Sequence, residues 1–103
     1  MYAEFTNRVL EIIKQIPSGK VSTYGFIARM AGDPRGARQV VRILHALSNK
    51  EKLPWHRVVN SKGYIASPTI PDKEEQASLL RKEGIAVNSG FRIDMQKYLW
   101  KNG

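Results

Sequence analysis

The chain has 103 residues, 42% of them hydrophobic and 25% charged, and a formal charge of +8. That length suits one modest core and is too short for two, so a single domain over residues 1–103 is expected. The chain has no cysteine, which excludes disulfides, a thiolate nucleophile and cysteine-based zinc sites. The two histidines, His45 and His56, are not in a metal-ligand spacing, so neither a metal nor a cofactor is expected. Apolar runs are only a few residues long, which leaves no candidate membrane span. Residues Met1 to Phe5 lack a basic region leading into an apolar stretch, so no secretory signal is read there. A cytoplasmic monomer is the expectation.

In chain order, Phe5, Val9, Ile12, Ile13 and Ile16 recur at helical spacing and predict an amphipathic helix. Pro17-Ser18-Gly19 ends it. Ser22 or Thr23 can cap a short second helix that turns Phe26, Ile27 and Met30 inward, with Gly32 closing it and Asp33-Pro34 forcing a turn. A third helix starts near Arg35, with Ala37, Val40, Val41, Leu44 and Leu47 on its apolar face. Its opposite face shows Arg38, Arg42 and His45. Helix, tight turn and helix with a basic outer face is the pattern of a helix-turn-helix.

Pro54 excludes mid-helix structure around it, and Val58-Val59 favour an extended path. Asn60-Ser61-Lys62-Gly63 reads as a turn into a short strand at Tyr64-Ile65, a wing-like hairpin. Asp72 and Glu75 have the spacing of a capping box for a fourth helix that points Leu79 and Leu80 inward and stops at Gly84. A loose extended stretch carries Ile85, Val87, Phe91 and Ile93, and Asp94 caps a last turn through Tyr98, Leu99 and Trp100. The expected fold class is mostly α with a small β hairpin, a winged helix-turn-helix-like domain.

Charge is concentrated in the middle of the chain. Between Lys20 and Lys62 there are nine basic residues and only Asp33 and Glu51 as acids, so this stretch carries +7 of the total. A positive field confined to one part of a small domain suits a polyanion such as nucleic acid. A membrane surface, or a solvated basic face that only aids solubility, are the competing readings.

Four stretches together carry a resemblance: Ile16-Pro17-Ser18-Gly19-Lys20-Val21-Ser22-Thr23-Tyr24, Ala37-Arg38-Gln39-Val40, Pro54-Trp55-His56-Arg57-Val58-Val59 and Leu79-Leu80-Arg81-Lys82-Glu83-Gly84. In this order they resemble the C-terminal domain of the O6-alkylguanine-DNA alkyltransferases, from about residue 3 to Trp100. Those enzymes carry Pro-Cys-His-Arg at the reactive site and usually have a further N-terminal domain. Here Trp55 stands in the cysteine's place, and Pro-Trp-His-Arg is the signature of the alkyltransferase-like branch.

The resemblance implies that Tyr24 pushes on the DNA backbone and helps rotate a nucleotide out of the duplex. It implies that Arg38 fills the vacated place in the base stack, that Gly36 and Ala37 let the recognition helix come close, and that this helix enters the minor groove. Asp33 and Ser61 match backbone-contacting positions, Arg42 extends the basic face, and Asn49 is the candidate hinge asparagine. The expected lesion pocket is walled by Tyr24, Trp55, Val58 and the stretch Ile65-Ala66-Ser67-Pro68-Thr69. Ala66 is a wall residue there, and Thr69 falls near a serine that reaches the lesion oxygen. His56 and Glu83 match the groups that assist the enzymes' thiolate.

An indole nitrogen donates hydrogen bonds and has no lone pair for attack, so alkyl transfer is not expected. His56 and Glu83 then hold the site together as a relic of an active site. Trp55 can still stack on a purine or pack on an alkyl group, although a tryptophan that merely fills the core is the ordinary alternative. Taken together, these readings predict damage recognition. The chain binds alkylated double-stranded DNA, flips O6-alkylguanine into a pocket and leaves the alkyl group in place. The resemblance further implies that nucleotide excision repair proteins take over the lesion. Two alternatives stand beside this: a non-specific helix-turn-helix DNA-binding module without flipping, and hydrolysis of the alkyl group by water polarised by His56 and Glu83, which is poor chemistry at an unactivated carbon.

Overall fold

A computed structural model describes residues 2–101. Helix α1, Glu4–Gln15, buries Val9, Leu10 and Ile13. It stops at Ile16, whose ψ of 118° is extended, as the steric demand of the following Pro17 requires. The turn through Gly19 (φ 88°) leads to strand β1, Ser22–Thr23. Of the two candidate caps, Thr23 does the work: its hydroxyl accepts the Phe26 N–H at 3.1 Å and opens helix α2, Tyr24–Met30. Ser22 lies fully buried in β1 instead. Met30 does not face inward; it is exposed. The buried side of α2 runs through Ile27 and Ala28 to Ala31, and Met30 falls off that stripe.

Helix α3, Ala37–Glu51, begins two residues later than the sequence pattern implies, with Gly36 as its N-cap. A Cβ on Gly36 would sit 2.8 Å from the Phe5 ring, so glycine lets the start of α3 pack on α1. This internal contact accounts for the small residue without any appeal to DNA. Val40 and Leu44 are the buried positions of α3, and the helix packs on α2 and α1. It ends at Lys52 in the left-handed conformation (φ 54°), with the Leu53 N–H returning to the Ser48 carbonyl at 3.0 Å.

The expected hairpin does not form. Strand β2, Val58–Val59, pairs in parallel with β1, Ser22 opposite Val58 and Thr23 opposite Val59. The Asn60–Gly63 turn is present, held by the Asn60 side chain accepting the Lys62 and Tyr64 N–H groups. Beyond it, however, Tyr64 pairs antiparallel with Arg92 rather than with β2. The reason lies in two adjacent valines, both 0% exposed. Neighbouring strand residues point to opposite faces, so both can be buried only if the strand is covered on both sides. Val58 belongs to the core formed with α1, α2 and α3, whereas Val59 belongs to a second core with Val21, Leu80, Ile85 and Ile93. Strand β2 is thus the partition between two small cores, not a solvent-edge wing.

Helix α4, Ile70–Lys82, is capped by Thr69, whose hydroxyl accepts the Asp72 N–H at 3.2 Å. The Asp72–Glu75 capping box is therefore not the helix start, and Pro71 sits in the first turn, where no N–H is needed. Leu80 is fully buried and Leu79 only half so. Gly84 (φ 87°) ends the helix. Asp94 caps helix α5, Met95–Tyr98, as its spacing implies, but α5 stops before Leu99 and Trp100. Those two residues run back beside Val21, with the Trp100 N–H on the Val21 carbonyl at 2.7 Å.

Candidate nucleic-acid interface and cavity

The outer face of α3 presents Arg38, Arg42 and His45, all exposed. Arg38 stands in the first turn of the helix. Asp33 lies in the preceding turn and already has local work: its carboxylate accepts the Arg35 N–H at 3.0 Å, and its carbonyl accepts the Gly36 N–H at 2.9 Å. Ser61 is exposed at the tip of the Asn60–Gly63 turn. Tyr24, the first residue of α2, is half-buried against the first core. Burial raises its phenol above the ordinary value. The hydroxyl therefore stays protonated near neutral pH and can donate to a phosphate oxygen.

Tyr24, Trp55 and Ala66 converge on one cavity of about 500 Å³, within the size range of small-molecule pockets. Its walls are the later turns of α3 (Val41, Leu44, His45, Ser48, Asn49), Trp55, the 66–68 loop, and Asp72, Glu75 and Gln76 of α4. Three of the expected wall residues are elsewhere, among them Ile65, which is buried in the second core. Val58 is in the core of β2 with no exposed surface, and Thr69 does not line the cavity because its hydroxyl caps α4. Asn49 is not in a loop; it is in the last turn of α3 and contributes to the wall. Trp55 opens a 3-10 turn, Trp55–Arg57. Its indole meets the His56 ring edge-on, with centroids 6.1 Å apart at 86°.

Behind that turn lies a compact ionic cluster. Glu83 accepts from His56 Nε2 at 2.7 Å, from Arg57 Nη2 at 2.8 Å and from the Gly19 N–H at 3.0 Å. Arg57 also donates to the Ile16 carbonyl at 2.7 Å, which ties the 3-10 turn to the end of α1. Burial pushes the Glu83 carboxyl up, but the bonds from Arg57, His56 and Gly19 outweigh it and bring the group down to about 2. An ionised carboxylate only accepts, so His56 must carry its proton on Nε2. Among the described residues, no three His, Asp or Glu side chains are grouped to hold a metal ion.

The family model for the 6-O-methylguanine DNA methyltransferase DNA-binding domain matches residues 4–85. The chain belongs to this family. It is 48% identical over 96 residues to the DNA base-flipping protein of Escherichia coli K12, covering 93% of this chain and 74% of that protein. It is 39% identical to Alkyltransferase-like protein 1 of Schizosaccharomyces pombe, covering 95% of each. The crystal structure of that yeast protein, Atl1, in complex with damaged DNA containing O6-carboxymethylguanine superposes with a TM-score of 0.88 at 37% identity, over 98% of this chain and 99% of that one.

Of the Pro54-to-Arg57 motif, Trp55 lines the cavity; Gln76, which also lines it, has no signal in the motif and was missed by sequence reasoning. Gln76 is 2% exposed on α4. Its amide donates to the His56 carbonyl at 3.0 Å and the Val58 carbonyl at 3.1 Å, while its oxygen accepts the Ser67 hydroxyl at 2.8 Å. One side chain thus fixes the Trp55 turn, β2 and the 66–68 loop to one another. The only hint in the sequence is a glutamine one turn before Leu80 on the buried side of α4. Gln76→Leu should cost about 1–3 kcal/mol per carbonyl left unpaired, read as a lower urea midpoint.

Proposed function

We propose that this chain binds duplex DNA through the basic face of α3, rotates an O6-alkylated guanine into the cavity and holds it there with its alkyl group intact. One observation carries the reading: the large aromatic Trp55 lines a base-sized cavity beside Tyr24, in a chain with no cysteine. Relatives that are a DNA base-flipping protein and a protein crystallised on damaged DNA support it. Tyr24 donates to the backbone during rotation, Arg38 enters the gap, and Arg42 pairs with phosphate. Asp33 and Ser61 flank that contact with the backbone.

Flipping costs a few kcal/mol, less for a poorly paired base, so the lesion selects itself partly through its weak pairing. His56 and Glu83 orient the Trp55 turn and take no part in bond-making. A protein that holds a lesion it cannot mend acts as a mark, and nucleotide excision repair proteins are the receivers in this reading. A monomer suffices for all of it.

The test is a titration of two duplexes differing only in guanine or O6-methylguanine, at fixed salt, followed by analysis of the recovered base. Tighter binding of the lesion with the methyl group still present is the expected result. Equal affinity would leave a basic helix-turn-helix module, and loss of the methyl group would make the chain an enzyme. The hand-off is checked by incision: a purified bacterial excision nuclease should cut the lesion duplex faster with this chain added.

A further inference from the structure

The chain carries +8, yet the cavity is lined by the carboxylates Asp72 and Glu75 and, among the described residues, by no lysine or arginine. The wall that would face a flipped base is therefore acidic within a basic molecule. Both carboxylates come from the first two turns of α4. A helix start ordinarily favours an anion through its free N–H groups. Here two of those positions offer nothing: Pro71 has no N–H and the Asp72 N–H is on the Thr69 hydroxyl. Asp72 further offsets the helix dipole from the first turn.

We propose that Asp72 and Glu75 make the cavity selective among O6-alkyl groups by charge, accepting neutral ones and rejecting those that end in a carboxylate. This rests on the base-holding function proposed above. An anionic alkyl group entering the cavity loses hydration and meets two like charges, with no lysine or arginine among the described lining residues to offset them. The yeast relative is seen with O6-carboxymethylguanine in its damaged DNA; this chain takes that lesion poorly.

The test compares duplexes bearing guanine, O6-methylguanine, O6-carboxymethylguanine and its neutral isostere O6-carbamoylmethylguanine, at one salt concentration. The wild-type chain should bind the carbamoylmethyl lesion about tenfold or more tighter than the carboxymethyl lesion, since like charges a few ångströms apart at a partly solvated site repel on that scale. Long-range attraction by the +8 chain works the other way, so a deficit reports the cavity itself. In the Asp72→Asn/Glu75→Gln variant the ratio of the two affinities should collapse toward one, and the single variants should each move it part of the way. Each protein serves as its own reference, so a general loss of affinity does not alter the ratio. Preference for O6-methylguanine over guanine, combined with equal binding of the two isosteres by the wild-type chain, overturns the charge selectivity alone. The same holds if the ratio is unchanged in the variants. No preference for O6-methylguanine over guanine overturns the base-holding function and this selectivity together.

Discussion

Glu83→Ala should destabilise the fold by about 1.5–3 kcal/mol, the worth of hydrogen bonds to a charged group, since its ion pair with Arg57 and His56 is partly buried. Arg57 and His56 would lose their common acceptor, and with it the bonds joining the Trp55 turn to α4 and the Gly19 turn. Domains of this size are stable by only about 5–15 kcal/mol, so the loss is large in a urea or thermal melt. The pH dependence follows from the same cluster. The folded carboxyl is lowered from 4.5 to about 2, so in that interval the unfolded chain binds the proton more readily and stability rises with pH. The contribution of Glu83 is complete above about pH 4.5 and disappears as pH falls toward 2. Urea midpoints of the wild type and of Glu83→Gln at several pH values should converge across that window. Parallel curves would mean that the carboxylate is not ionised by its partners.

Much of the helical scaffold was legible because amphipathic periodicity and local punctuation agree. Pro17 ends α1, Gly84 ends α4 and Asp94 caps α5, each for a reason confined to a few residues. The β part was not legible, because local turn chemistry and long-range pairing disagree. Asn60–Gly63 is a sound turn, and turn residues between extended segments predict a hairpin. Yet Val58 and Val59 each require cover, and β1, 35 or so residues earlier, supplies a pairing that keeps both buried. The start of α4 failed for a similar reason: two cap signals overlap, and Thr69 outcompetes Asp72 because Pro71 fits the first turn behind it.

The cavity divides along the same line. Tyr24 and Trp55 follow from motifs, and Ala66 follows from its place after the turn. Val58 was misplaced because, in a strand, adjacent residues face opposite sides, and neither side of β2 opens to the cavity. Thr69 was misplaced because a hydroxyl that caps a helix is not free to reach a ligand. Asp72, Glu75 and Gln76 enter the wall only through the tertiary approach of α4 to α3, which no local pattern encodes.

Trp55→Leu should weaken binding of O6-methylguanine duplex by about 5- to 100-fold, the worth of one base–aromatic stack, while leaving guanine duplex nearly unaffected. Leucine keeps an apolar group against the first core, where Trp55 packs, so the substitution removes the flat face rather than the fold. Arg38→Ala should also weaken lesion binding, because the vacated place in the base stack is left unfilled. Tyr24→Phe should separate the hydroxyl from the ring: a loss equal to that of Tyr24→Ala makes the phosphate contact decisive, and a smaller loss assigns the ring itself to the cavity wall. A 2-aminopurine placed beside the lesion brightens when its stack opens, and this signal should fall with Arg38→Ala and Tyr24→Ala. The three sites differ in what they touch, so they also differ in what a simple DNA-binding module would show. Such a module would lose affinity for both duplexes alike at Arg38, and would be indifferent to Trp55, because only a base that has left the helix can reach the cavity wall.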